Sequence, residues 1–350
     1  MHTTHQIQAQ AESFNMRKPV AKSRLLSVLL LLGISVFSFA QENQKDAQTS
    51  FQFMSVTSDA KAAAMAEAMT TIEGSATALF FNPAGIARLS TNVEASFSIN
   101  QWIANIQHNS AGILFSPSGG KYGVLGLSLL AVDYGTLQGT MVWPNSLGYV
   151  DTEEFSPSAF SLGVAYGKAL SDKFSLGFHL KNASSYLGQS TILKQDSTFG
   201  TIKNVASALA FDFGTLFKTG IRDVTVGMSV KNFSKEITYA NGEENFQLPL
   251  TFTLGMSLDI FRFLEMESNQ SLLFALDATH PRSHPEQFKF GLEYIPLSIL
   301  ALRAGYLMNN DEDDLTFGVG LNYAGVTFDY ALTPFGRFDS IQRISLRIAL

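Results

Sequence analysis

The chain has 350 residues, of which 46% are hydrophobic, 12% aromatic and 15% charged, and its formal net charge is −6. This charged fraction is far below the roughly 25% of average soluble domains and suits a protein with an apolar exterior. Scattered basic residues exclude a nucleic-acid-binding surface, and the absence of cysteine excludes disulfides and thiolate metal sites.

The first 40 residues carry the features of a secretory signal peptide. A basic cluster after Met16 precedes the apolar run Leu25–Phe37, which ends in the small-x-small sequence at residues 38–40. Residues 1–40 are therefore predicted to be a signal peptide, with Met16 as an alternative start. A retained membrane anchor is the other interpretation, but the apolar run is too short to span a bilayer. The polar residues 41–50 are predicted to form a flexible mature N-terminus.

Residues 51–91 differ from the rest of the mature chain and are predicted to form a plug. The run Asp59–Thr71 is rich in Ala and Met, which favours a short helix with small residues on every face. The turn Asn82, Pro83, Ala84, Gly85 then interrupts the helical pattern, because a residue before proline avoids helical geometry and glycine relaxes the backbone. The pattern alone is also compatible with an ordinary helix and turn leading into a strand.

From Val93 onward, large apolar residues alternate with small or polar ones, as in Leu315–Tyr323. This is the period of a β-strand with one uniformly apolar face. No stretch reaches the roughly 18 to 20 apolar residues of a spanning helix, whereas many of the alternating runs approach the length of a membrane strand. About fourteen runs are present, and an even number is typical of bacterial barrels. They lie near residues 93–99, 109–116, 122–131, 159–167, 173–182, 204–214, 223–232, 251–259, 271–279, 286–295, 300–307, 314–322, 324–333 and 341–350.

A soluble β-sandwich would also alternate apolar with polar residues along each strand. The composition of the second face of these strands distinguishes a membrane barrel from such a sandwich. That face is mostly Gly, Ser, Ala and Thr with sparse charges, so it suits an interior crowded by a plug. Long connections at 132–158, 183–203 and 233–250 alternate with short ones, which is typical of outer-membrane barrels. Residues 92–350 are therefore predicted to be an all-β, fourteen-stranded antiparallel transmembrane β-barrel. It would lie in outer-membrane lipid with periplasmic termini.

Charged residues on the inner face of a barrel need partners in the wall, the plug or water. Glu293, Arg303 and Asp329 are our first candidates for pairing between wall and plug, and a polar substrate path is the alternative.

Metal-binding and catalytic patterns are weak. His280 and His284 have only Glu286 beside them as a further ligand, and the acidic loop 310–314 lacks calcium-ligand spacing. No metal or cofactor is predicted. The chain is also not predicted to be an enzyme, because the Gly-x-Ser-x-Gly elbow is absent. A hydrolase whose Ser and His come from distant strands is the remaining catalytic alternative.

Two stretches, residues 59–66 and 76–85, resemble the opening of the PorV/PorQ family of outer-membrane proteins. Three shorter stretches add to this resemblance: Gly291–Tyr294, Leu302–Tyr306 and Asp329–Ala331. The family is similar in fold to the FadL fatty-acid transporters, which are fourteen-stranded barrels with an N-terminal plug. The family's opening usually carries an arginine and glycines where this chain has Lys61, Ala64 and Ala66.

The resemblance implies a non-enzymatic role in the type IX secretion system, in which family members accept or hold exported cargo. Secretion-system subunits or cargo proteins would then be partners. The end of the chain, Arg343–Leu350, resembles the signal read by the outer-membrane assembly machinery, which would be a further partner. The kinship with FadL implies the alternative, transport of hydrophobic small molecules through a side opening. A transporter needs an apolar route past the plug, whereas a cargo-binding protein needs ordered outer loops.

Overall fold

The computed structural model describes residues 49–193, 198–239, 245–266, 268–310, 315–336 and 338–350. The predicted signal peptide lies outside the described residues, as do residues 41–48 of the predicted flexible N-terminus and residues 311–314 of the acidic loop. In the part of the chain that is described, no helix is long and apolar enough to cross a membrane.

Fourteen antiparallel strands close into a barrel, which confirms the fold predicted from the sequence. The last strand closes against the first, with Glu94 opposite Ala349 and Gln101 opposite Gln342. Closure gives every barrel strand a partner on both sides, as hydrocarbon surroundings require. Strands β4, β5, β10 and β11 lie outside the barrel, in two hairpins. The strands are β1 (Val93–Gln101), β2 (Gln107–Phe115), β3 (Val124–Asp133), β4 (Leu137–Val142), β5 (Tyr149–Phe155), β6 (Ser158–Ala169), β7 (Phe174–Leu193), β8 (Phe199–Lys218), β9 (Thr225–Ser234), β10 (Ile237–Thr238), β11 (Asn245–Phe246), β12 (Thr251–Asp259), β13 (Ser271–Pro281), β14 (Gln287–Leu297), β15 (Leu300–Met308), β16 (Leu315–Tyr323), β17 (Val326–Phe335) and β18 (Phe338–Ala349).

The two ends of the barrel differ in their connections. One end, here called the loop end, carries the β4–β5 hairpin between β3 and β6 and the β10–β11 hairpin between β9 and β12. The other end, the turn end, carries shorter connections and the C-terminal Leu350. The longest connection at the turn end follows β12 and begins with a short helix, α2 (Ile260–Phe263).

The predicted long connection at 183–203 is wrong, because most of it is strand. Strands β7 and β8 each run for 20 residues and pair with each other out to Leu193 and Phe199. The sequence alternation that marks a membrane strand weakens beyond Asn182 because that part of the strand pair no longer needs one uniformly apolar face. The pattern therefore ends where the lipid-facing band ends, before the strands do.

Large side chains point away from the lumen. Along β3, Leu125, Leu127 and Leu129 are about half exposed, whereas Gly126 and Ser128 are buried. The same alternation recurs around the barrel, so its exterior is a continuous apolar surface. Soluble monomers rarely expose so large an apolar patch, and a bilayer is the solvent that suits it.

Residues 49–91 lie inside the barrel and are called the plug here. Its elements are the 3-10 helix Gln52–Ser55, the α-helix α1 (Ala60–Ala64) and the 3-10 helices Ala76–Phe80 and Pro83–Arg88. The plug begins at the loop end, where the Ser50 amide donates to the Gln247 carbonyl at 2.9 Å. It ends at the turn end, where the Arg88 guanidinium donates to the Ser171 carbonyl at 2.7 Å.

Small residues on both partners allow the plug to approach the wall closely. All but Lys61 among the α1 side chains are buried alanines, and most barrel strands present a glycine to the plug. A Cβ on Gly177 would overlap the backbone of Pro83, and a Cβ on Gly305 would overlap the backbone of Ala66. The contacting wall glycines are Gly112, Gly126, Gly167, Gly177, Gly214, Gly227, Gly255, Gly291, Gly305 and Gly318.

Substitution Gly177→Val tests this close packing. We expect it to lower the free energy of unfolding by about 1–3 kcal/mol, because the new side chain must displace the Pro83 backbone in a packed interior. The measurement is urea unfolding of the refolded protein in lipid vesicles. Phe178→Leu, on the outward face of the same strand, is the matched control and should change stability little. Equal stability of the Gly177 variant and the wild type would contradict the packing described.

Candidate functional site at the plug and the barrel wall

The three charged residues selected from the sequence come together on neighbouring strands of the wall. Arg303 on β15 lies opposite Glu293 on β14, with Nε 2.5 Å from Oε2. The same guanidinium reaches across β16 to Asp329 on β17, with Nη1 2.6 Å from Oδ1. Gly320 on β16 makes this reach possible, because a Cβ there would overlap both side chains. All three charged residues are buried.

This wall cluster contacts the plug directly through Glu293 and indirectly, by way of Arg347, through Asp329. Lys61 in α1 places Nζ 3.0 Å from Glu293 Oε1. Asp329 contacts Arg347 at 3.2 Å, and Arg347 in turn donates to Ser75 Oγ of the plug at 3.2 Å. Burying a charge is costly unless it is paired with an opposite charge. Glu293 is the carboxylate that the Lys61 ammonium group and the Arg303 guanidinium share. The arrangement attaches α1 and Ser75 of the plug to this part of the wall.

Two other inward carboxylates, which the sequence places on the inner face but which were not among the first candidates, also bind the plug. Asp277 Oδ2 accepts hydrogen bonds from the Met69 and Thr70 amides at 3.0 and 2.9 Å. Glu94 Oε1 accepts from the Ala76 amide at 2.7 Å and from Ser75 Oγ at 3.0 Å. Their inward position in alternating runs is the signal that was available in the sequence. Their partners are mainly backbone N–H groups, which a sequence does not mark.

A further ion pair joins Lys289 of β14 to Glu67 of the plug, with Nζ 2.6 Å from Oε2. Together these contacts attach the plug to β1, β13, β14 and β18 through polar groups.

The plug turn is buried and fixed by Asn82. Its Oδ1 accepts from the Ala84 amide at 3.0 Å, which caps the 3-10 helix beginning at Pro83. Its Nδ2 donates to the Thr70 carbonyl at 2.7 Å and to the Thr215 carbonyl of β8 at 3.1 Å. Gly85 packs so closely that a Cβ would overlap the Ile72 carbonyl. The turn therefore joins two parts of the plug to each other and to the wall.

A second polar cluster lies in the wall formed by β3, β7, β8 and β9. Ser128 Oγ is 2.8 Å from His179 Nε2, and His179 Nδ1 is 3.3 Å from Asp212 Oδ2. Lys181 places Nζ 2.8 Å from Asp212 Oδ2 and donates to Asn232 Oδ1 at 2.6 Å. The sequence places His179, Lys181 and Asp212 on the inner face of the barrel and leaves a Ser–His pair from distant strands open, but it does not identify Ser128.

This Ser–His–Asp order is insufficient for acyl transfer in the geometry observed. Catalysis of that kind needs preorganised donors for the oxyanion, yet Ser128 lies in a strand paired on both sides, where backbone N–H groups serve the ladder. The cavity beside Ser128 and His179 measures about 50 Å³, which is room for a few water molecules. The cluster instead balances the buried Asp212 carboxylate with the Lys181 ammonium group.

The histidine pair weighed as metal ligands gains one carboxylate contact, to Glu286. His280 Nδ1 lies 2.8 Å from Glu286 Oε1 at an exposed position. Across the described ranges, no group of three or more His, Asp or Glu side chains is arranged to hold a metal ion.

A double-mutant cycle on Lys61 and Glu293 tests the contact between wall and plug. Glu293→Gln should lower the free energy of unfolding by about 3–5 kcal/mol, because it leaves buried cations without their carboxylate. Lys61→Met in addition should recover part of this loss. Glu154→Gln, at an exposed carboxylate of β5, is the matched control. Unfolding in lipid vesicles supplies the four free energies, and strictly additive effects would contradict a direct Lys61–Glu293 interaction.

Comparison with known proteins adds a family and a fold. A family model described as type IX secretion system membrane protein PorP/SprF matches residues 138–342, more than half of the chain. No curated protein matches the sequence. The PorV/PorQ family named from sequence motifs is not confirmed, although it is related to the family that matches.

Among solved structures, the toluene transporter TbuX of Ralstonia pickettii has 12% sequence identity and a TM-score of 0.57, covering 83% of this chain and 98% of that chain. The toluene transporter TodX of Pseudomonas putida has 12% identity and a TM-score of 0.55, covering 87% and 98%. A FadL homologue of Pseudomonas aeruginosa has 11% identity and a TM-score of 0.53, covering 84% and 98%. These likenesses confirm the FadL-like barrel. With the family match over more than half its length, the chain belongs to the PorP/SprF family of type IX secretion system membrane proteins.

Proposed function

We propose that this protein is a non-enzymatic outer-membrane component of a type IX secretion machinery that binds exported protein or hands it on. The observation that carries the proposal is the plug in the lumen. The plug contacts strands around the barrel, leaving a cavity of about 50 Å³ beside β3, β6 and β7 and an open cleft of about 530 Å³ between residues 71–73 and β8, β9 and β12 at the turn end. A barrel filled in this way acts through the surfaces at its ends, and membership of the secretion family supports a protein as the ligand.

The asymmetry of the connections supports an orientation. Outer-membrane barrels have short periplasmic turns and longer extracellular loops, so the loop end faces outward and the turn end faces the periplasm. The C-terminus then lies on the periplasmic side. In this orientation Thr49, which pairs with Gln247, would lie at the outer mouth, on the side opposite to the periplasmic N-terminus predicted from the sequence; residues 1–48 lie outside the described part of the chain.

The connection between β3 and β6 provides an ordered outer structure for a protein partner. Its β4–β5 hairpin is paired with one register shift between Gln138 and Thr140, and Trp143 and Tyr149 are 38% and 45% exposed. These aromatic side chains therefore do not fold back over the mouth. Tyr134 at the base of the connection does pack inward, and burial raises the pKa of its phenol. The outer part of the hairpin is thus free to contact another molecule.

The second candidate is transport of hydrophobic small molecules, which an irregular part of the wall favours. The register of β8 and β9 shifts between Phe211 and Phe213, and the Asn232 amide donates to Asp212 Oδ1 at 2.7 Å instead of to a backbone carbonyl. An apolar groove lies outside this point, lined by Phe178, Leu180, Phe211, Phe213, Val230 and Phe233. TbuX and TodX, similar in fold, are toluene transporters. Transport here would require the plug to leave its position.

Deletion of the gene, with complementation by the wild type, separates the two functions. We expect proteins exported by the type IX route to accumulate inside the cell, and the complemented strain to restore their release. Quantitative mass spectrometry of culture supernatant and periplasm is the measurement. Crosslinking and affinity purification from outer membranes should recover secretion-machinery subunits. Normal secretion combined with slower uptake of hydrophobic compounds would overturn the proposal in favour of the transporter.

A further inference from the structure

The β4–β5 hairpin and the outer halves of β7 and β8 form a projection at the loop end. This outer projection consists of residues 137–155, 184–192 and 199–209. Strand β6 pairs with β7 only as far as Tyr186, and β9 pairs with β8 only from Ala210. Beyond those points, β7 and β8 pair with each other alone.

The length of these strands carries the projection beyond the bilayer. Twenty residues at about 3.3 Å per residue and a tilt of roughly 45° reach about 45 Å along the membrane normal. The apolar band of such barrels is about 25 Å tall. The outer projection therefore extends roughly 20 Å past the band, so its apolar side chains are not explained by lipid contact.

The hairpin is held in place against the strand pair. Phe155 packs over Gly188, where a Cβ would overlap its ring. Gln189 Nε2 donates to Glu153 Oε2 at 3.2 Å, and the Trp143 and Phe199 ring centroids are 6.2 Å apart. A partner would therefore meet a formed surface and would not have to order it, which lowers the entropic cost of binding.

Apolar residues stand out on this surface. Val142 and Leu147 are 91% and 70% exposed at the tip of the hairpin, and Tyr149 lies directly opposite Val142 on the other strand. In water, a contiguous set of this kind is typical of a protein-binding site.

Acidic residues border the apolar tip. Asp151, Glu153 and Glu154 follow Tyr149 and Val150 along β5, and all three are exposed. No described lysine, arginine or histidine lies within ion-pair distance of them. Their charge repels phosphate groups of a lipid surface and attracts basic protein side chains. Charge therefore favours a protein over lipid as the occupant.

We propose that this face of the outer projection docks a protein that presents an apolar patch bordered by lysine or arginine, a substrate or subunit of the secretion machinery. This inference rests on the proposed function and assigns its binding surface. Val142, Leu147 and Tyr149 supply the apolar contact. Asp151 and Glu154 orient the partner by pairing with its lysine or arginine side chains.

Site-specific photocrosslinking in intact cells tests the surface. A benzophenone amino acid at position 142 should give a protein adduct that mass spectrometry identifies as an exported protein or a machinery subunit. The same probe at Tyr323, an exposed residue at the turn end, is the matched control and should not give that adduct. Asp151→Lys with Glu154→Lys should reduce the adduct about threefold to tenfold, the loss expected for two charge pairs, whereas Asp151→Glu with Glu154→Asp should retain it.

The outcomes separate the surface from the function. Only lipid adducts at position 142, or an adduct yield unchanged by charge reversal, would overturn the docking surface. Full secretion by a Val142→Asp, Leu147→Asp variant, in a background where gene deletion blocks secretion, would overturn the surface and leave the proposed function standing. Normal secretion after gene deletion would overturn the proposed function itself. Unchanged heat-dependent gel migration of each variant shows that its barrel is folded.

Discussion

Hydrocarbon offers no hydrogen bonds, and the structure depends on that constraint. Backbone groups in the bilayer must pair within the protein, so β1 and β18 close the sheet into a barrel. Closure creates an interior that also has to be satisfied, because its wall carries charged groups such as Glu293 and Asp277. The plug supplies their partners, a lysine ammonium in one case and two backbone amides in the other. Wall and plug therefore depend on each other.

Most of the barrel could be predicted because lipid imposes a simple rule on its strands. A residue facing hydrocarbon is large and apolar, and its neighbour facing the plug is small, so the period of two in Leu315–Tyr323 shows both faces. The rule failed at 183–203 because β7 and β8 continue into water, where it no longer applies. Glycines at inward positions, such as Gly320 beside Arg303, were a further signal of close packing that the sequence contained.

The site was less accessible from sequence. Glu293, Arg303 and Asp329 were recognisable because inward charges in a barrel must pair, and the order of strands brings them together. The contact of Ser128 with His179 joins strands that are distant in the chain, so spacing could not reveal it. A fold of this kind also serves toluene transporters, and fold alone does not determine function. Membership of the PorP/SprF family is the finding that supports a role in secretion.

The claim that the plug occupies the lumen through its contacts with the wall is tested most directly by conductance in planar lipid bilayers. The purified full chain should insert without producing ion current, because the plug packs against the wall around the barrel. Glu293→Gln combined with Asp277→Asn removes two wall carboxylates that bind the plug. This double variant should produce intermittent current steps. Stable, continuous conductance by the wild-type protein would contradict the account.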